Sequence, residues 1–119
     1  MDNEIRELTV LIDKNMKKCP WIKNQTSKTH LKKLFSELEE LDDAYNKSNW
    51  NGTQEEMGDV LWDVLILAYI LEKEGRINVK QTIRNIREKI CRRKPWLESN
   101  DEISLDEAKR IWIEKKNME

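Results

Sequence analysis

The sequence predicts an all-α fold, an antiparallel bundle of about five amphipathic helices. Three glycines and two prolines in 119 residues are too few for the many turns of a β-rich chain. Charged residues make up 38% of the chain, and Glu, Lys, Leu and Ile dominate, the composition of long helices with a solvated face. Five tryptophans and a dense apolar stretch from Val60 to Leu71 supply the burial that a disordered chain of equal charge lacks. The length suits a single domain over 1–119.

The first helix is expected from about Asn3 to Lys17, with Ile5, Leu8, Leu11 and Ile12 on one face. Cys19-Pro20-Trp21 breaks it, and the polar stretch to Thr26-Ser27 reads as loop. The second helix starts near Ser27 or Thr29 and runs to about Lys47. Its stripe of Leu31, Leu34, Phe35, Leu38, Leu41 and Tyr45 follows the helical period and is assigned to the core. Asn49-Trp50-Asn51-Gly52 reads as a turn, with Thr53 as N-cap and Glu56 at the capping-box position. The third helix runs to about Lys73 and is closed by Glu74-Gly75-Arg76. A fourth spans about Val79 to Lys94, ending before Pro95, and a last one about Leu105 to Lys116. The end of the third helix is apolar nearly all round, which predicts burial against a second subunit.

Net charge is −1, with 22 basic and 23 acidic residues, so no basic excess points to nucleic acid. Cys19 and Cys91 lack metal-type spacing and read as ordinary thiols of a reducing compartment. No apolar run approaches the length of a membrane span, and the charged start has no signal core. A cytoplasmic chain is expected, with no membrane or nucleic-acid partner.

Two acidic pairs carry the chemistry. Glu37 and Glu40 share a face of the second helix, and Glu56 and Asp59 share one of the third. An antiparallel hairpin centred on residue 48 sets Glu37 opposite Asp59 and Glu40 opposite Glu56. Four converging acids repel unless a cation neutralises them, and an oxygen-only set suits Mg²⁺ or Mn²⁺. Mg²⁺ commonly completes its shell with substrate phosphates, so the cluster predicts a phosphorylated ligand. His30, nearly two turns before Glu37, makes a poor ligand. Asp63, one turn beyond Asp59, is either a further ligand or a supporting group. Lys89 and Arg93, and Trp112 and Lys116, form i,i+4 pairs suited to phosphate and base; Trp21 and Lys23 add a second such set near Pro20.

These residues resemble the MazG family of all-α nucleoside triphosphate pyrophosphohydrolases. Cys19-Pro20-Trp21-Ile22-Lys23-Asn24-Gln25-Thr26 is similar to the family's opening loop. Glu37-Leu38-Glu39-Glu40 and Glu56-Met57-Gly58-Asp59 match its two acidic motifs, and Glu74-Gly75-Arg76 and Arg92-Arg93-Lys94-Pro95 its later segments. The resemblance implies a homodimer or homotetramer, and Mg²⁺-dependent hydrolysis of NTPs and dNTPs to monophosphate and pyrophosphate. It also implies Glu37, Glu40, Glu56 and Asp59 as metal ligands, with Glu37 or Glu40 as base. Trp21, Lys23, Lys89, Arg93, Trp112 and Lys116 become substrate contacts, and clearance of non-standard nucleotides becomes the usual role. Ser36, Ile22 and Lys94 depart from the family pattern at a Glu, an acid and a His. The alternative they raise is a nucleotide-binding or regulatory domain that turns over poorly.

Overall fold

Caps and breakers divide the chain into six α-helices and one 3₁₀ turn, without strands, in a computed structural model that describes residues 1–119. Helix α1 is Asp2–Lys18, α2 Pro20–Lys23, α3 Ser27–Asn46, α4 Trp50–Lys73, α5 Val79–Arg93 and α6 Leu105–Asn117, with the 3₁₀ turn at Pro95–Glu98 between the last two. The stretch after Cys19 is thus not wholly loop: Pro20 occupies the first position of the short α2, where its missing N–H costs nothing. None of the helices is long and apolar enough to cross a membrane. The chain forms two compact units, residues 1–77 and 78–119.

In the first unit α3 and α4 form the expected antiparallel hairpin. The loop between them turns through Ser48, whose positive φ of 53° places the left-handed residue at the predicted centre of the pairing. The N-cap of α4 is Asn49, not Thr53. Its side chain accepts from the Gly52 N–H, and the Thr53 hydroxyl donates back to the Asn49 carbonyl. The stretch read as a turn is therefore the first turn of α4, and Glu56, released from capping, stands within the helix.

The other end of the hairpin is fastened by Glu74. Its carboxylate accepts from the backbone N–H of Ser27 at 2.9 Å and from the Ser27 hydroxyl at 2.6 Å, and Arg76 donates to it at 3.1 Å. An anion here satisfies an otherwise unpaired N–H of the first turn of α3 and faces the positive end of its dipole. The two hydrogen bonds from Ser27 and the neighbouring Arg76 hold the Glu74 carboxyl below the ordinary carboxylate value. Gly75, at φ 76°, supplies the left-handed turn that this arrangement needs.

The core is built where α1 and α2 meet the second half of α4. Ile12, Ile22, Ile66 and Ile70 are buried there, with Leu8, Met16, Trp62, Leu65 and Tyr69 packed around them. The stripe assigned to the core on α3 is different. Leu31, Phe35, Leu38 and Tyr45 remain exposed, Phe35 at 61% and Tyr45 at 60%, and Met57, Leu61 and Val64 of α4 are exposed with them. Within one chain no element covers this face, because α1 and α2 occupy only the far end of the hairpin.

The second unit packs α5 with the 3₁₀ turn and α6. Arg93 is its buried cation: the guanidinium lies 5.0 Å from the Trp112 ring centre and donates to Glu119 at 2.6 Å. Arg92 donates to the same carboxylate at 2.7 Å. The hydrogen bonds from Arg93 and then Arg92 hold the Glu119 carboxyl at about 2.

Candidate active site

The hairpin register delivers carboxylates from two helices to one place. One oxygen each of Glu37, Glu56 and Asp59 lie within 4.8 Å of one another, a spacing that a single cation can bridge. Glu40, more exposed, hydrogen-bonds to both Glu37 and Glu56, so the fourth predicted acid belongs to the same group. The electrostatics are those of an uncompensated cluster. Burial pushes the Glu37 carboxyl above its ordinary value, and the hydrogen bond and charge of Glu40 add to it, followed by Asp63 and Asp59. Burial and the charge of Glu40 likewise raise Glu56.

Four solvent-shielded side-chain atoms lack a hydrogen-bond partner: Oε2 of Glu37, Oε2 of Glu56, Oδ2 of Asp63 and Nε2 of His30. Leaving such atoms unpaired carries a desolvation cost that a bound cation would remove for the carboxylates. The all-oxygen donor set fits a hard divalent ion, so the observed residues could hold a metal.

One helical turn from the acids lies an arrangement that sequence spacing does not show. Asp63 is 2% exposed, and its Oδ1 stands 3.6 Å from both His30 Nε2 and Lys33 Nζ. His30, 1% exposed, donates from Nδ1 to the Gln25 carbonyl oxygen at 2.7 Å. Burial lowers the His30 pKa, outweighing the pull of Asp63 in the opposite direction. Helical periodicity places these residues on a common face, but it carries no information about depth. The only sequence signal was Asp63 at i+4 from Asp59.

Trp21, on α2, is 78% exposed and lines a cavity of about 150 Å³, whereas Lys23 points to solvent outside it. Lys89, Arg93, Trp112 and Lys116 all lie in the second unit. Of these, Arg93 and Trp112 are brought together, with Lys94 also 5.7 Å from the Trp112 ring centre. Lys116 is exposed and Lys89 half-buried.

The sequence model of the MazG nucleotide pyrophosphohydrolase domain matches residues 25–98. The fold is shared with a MazG-related protein from Thermotoga maritima, with a TM-score of 0.88 and 38% identity over 94% of this chain and 98% of that one. A nucleoside triphosphate pyrophosphohydrolase of Mycolicibacterium smegmatis is 32% identical over 115 residues, which cover 95% of this chain and 36% of the relative. The nucleoside triphosphate pyrophosphohydrolase/pyrophosphatase MazG of Thermotoga maritima is 35% identical over 77 residues, 65% of this chain and 30% of the relative. The chain spans 16–36% of the length of the curated relatives it matches. With the family's domain matched across both acidic helices and the fold shared nearly end to end, the chain belongs to the MazG family of nucleotide pyrophosphohydrolase domains.

Proposed function

We propose that this protein hydrolyses nucleoside triphosphates, NTPs and dNTPs, to the monophosphate and pyrophosphate in a Mg²⁺-dependent reaction. The observation that carries the reading is the acid cluster: Glu37, Glu56 and Asp59 meet within 4.8 Å, and Glu37 and Glu56 keep shielded, unpaired oxygens. Glu37, Glu40, Glu56 and Asp59 would hold the ion. When bound, Mg²⁺ supplies positive charge that offsets these carboxylates and polarises phosphate oxygens. Among the acids, Glu37 or Glu40, whichever is less committed to ligation, accepts the proton of the attacking water. The cations of the second unit, Lys89, Arg93 and Lys116, serve the phosphates; Trp112, with Arg93 against its ring, steadies that guanidinium. Trp21 and Lys23 contact substrate from the first unit.

The match to the family domain runs across both compact units, which supports reading residues 1–119 as one functional domain. The uncovered apolar face of α3 and α4 supports assembly as a homodimer or homotetramer. A cytoplasmic role in clearing non-standard nucleotides fits the family.

Pyrophosphate release from a panel of NTPs and dNTPs, with Mg²⁺, with Mn²⁺ and with chelator, tests the reading. Release that requires the divalent ion is expected. Nucleotide binding without release would identify a regulatory domain instead, and metal-independent release would remove the acid cluster from the chemistry.

A further inference from the structure

The cavity beside Trp21 is separate from the acids and yet connected to them. Ile22 is buried at its floor, Trp21 and Trp62 contribute aromatic walls, and Asn15, Gln25 and Lys33 contribute the polar groups. Lys33 and Asp63 join it to the metal cluster. Lys33 lies one turn before Glu37 on α3, and its ammonium is 3.6 Å from Asp63, which lies one turn after Asp59 on α4. One to two helical turns amount to roughly 5–10 Å, the reach of a sugar and one phosphate between a base and the bond to be cut.

The polar lining has a definite sense. The Gln25 carbonyl oxygen is already taken by His30 Nδ1 at 2.7 Å, so what this amide has left to offer is its NH₂ group. His30 therefore acts as a positioning residue, fixing which end of Gln25 is free. Lys33 is purely a donor, and Asn15 offers both a donor and an acceptor. No carboxylate lines the cavity. Such a site favours a flat ring edged with carbonyl oxygens. Its volume, about 150 Å³, is that of protein cavities that take one benzene-sized ring, not two fused ones.

We propose that this cavity receives the base of the substrate and selects a pyrimidine, with ring carbonyls meeting the Gln25 amide and Lys33 and the ring stacking against Trp21 or Trp62. The proposal rests on the reading of the acid cluster as the site that holds the triphosphate.

Pyrophosphate release with Mg²⁺ is compared for dUTP, dCTP and TTP against dATP and dGTP, alongside calorimetric binding of dUMP and dAMP without metal. A pyrimidine preference of about tenfold or more in kcat/KM is expected. Trp21→Ala, at an exposed position that spares the core, and Asn15→Ala should each erase most of it. The loss should come mainly through KM, since an aromatic platform is worth about tenfold per base. Circular dichroism verifies that both variants stay helical. Equal rates on purines, or a preference unchanged in both variants, would overturn the cavity assignment while leaving the hydrolase reading in place. Absence of release from every nucleotide would overturn that reading; the cavity assignment would then stand only if dUMP binds in preference to dAMP and Trp21→Ala abolishes the difference.

Discussion

At the level of single residues, the acids are set against one another before any ion arrives. Glu37 and Glu56 are raised above the ordinary carboxylate value of 4.5, so above that pH the folded state binds more protons than the unfolded one. By linkage, their contribution to stability is present below 4.5 and is lost as pH rises through the raised values. Thermal melts in chelator should thus show a declining contribution from this cluster between pH 4.5 and neutrality. Mg²⁺ should restore it at pH 7.5 and do little at pH 5; saturation at 100 times Kd corresponds to about 2.7 kcal/mol. Glu119 works in the opposite direction and in a lower window, since its stabilisation is lost as pH falls from 4.5 toward about 2. Glu40→Gln and Asp59→Asn should abolish metal-dependent pyrophosphate release and shrink the Mg²⁺ shift in Tm while leaving the far-ultraviolet spectrum unchanged. Retention of wild-type rates in either variant would exclude these ligands. The acids were legible in the sequence because two i,i+3 pairs sit symmetrically about one turn. The His30–Asp63 pair was not, because its burial depends on how α2 closes over the hairpin.

Among the elements, the long helices were legible from apolar periodicity, and their ends fall within a residue or two of expectation. The start of α4 was not. Asn49 and Thr53 are both good caps, and what decides between them is Ser48, whose left-handed backbone completes the turn early enough for Asn49 to cap. That conformation strains a side chain with a Cβ, which predicts that Ser48→Gly raises stability by about 0.5–1 kcal/mol, measurable by denaturant unfolding. The packing of α1 and α2 on α4 makes the reverse case. Ile66 is wholly buried between them, and Ile66→Ala should cost about 2–5 kcal/mol by the same measurement. Glu74→Gln should loosen the far end of the hairpin by weakening its grip on Ser27, seen as faster amide exchange in the first turn of α3.

For the molecule as a whole, the sequence placed the α3 stripe in a core, and the structure leaves most of it uncovered. Periodicity identifies an apolar face but cannot say whether the covering partner belongs to the same chain. The face formed by Phe35, Leu38, Met57 and Leu61 is too apolar to stand comfortably in water. Light scattering should therefore give at least twice the monomer mass of 14.3 kDa, and a double substitution Phe35→Lys and Leu61→Lys should return the monomer. A monomeric wild-type protein would mean that something other than a second copy covers this face.

The turn at Ser48 also sets the phase of the site. Every functional pairing across α3 and α4 is measured from that one loop, so its length works like the offset of a vernier. One added residue would advance α4 against α3 by about 1.5 Å and rotate it by about 100°. Both helices would survive such a change intact. The acids, Lys33 and Asp63 would fall out of step together, so insertions between Lys47 and Asn49 should silence the protein without unfolding it.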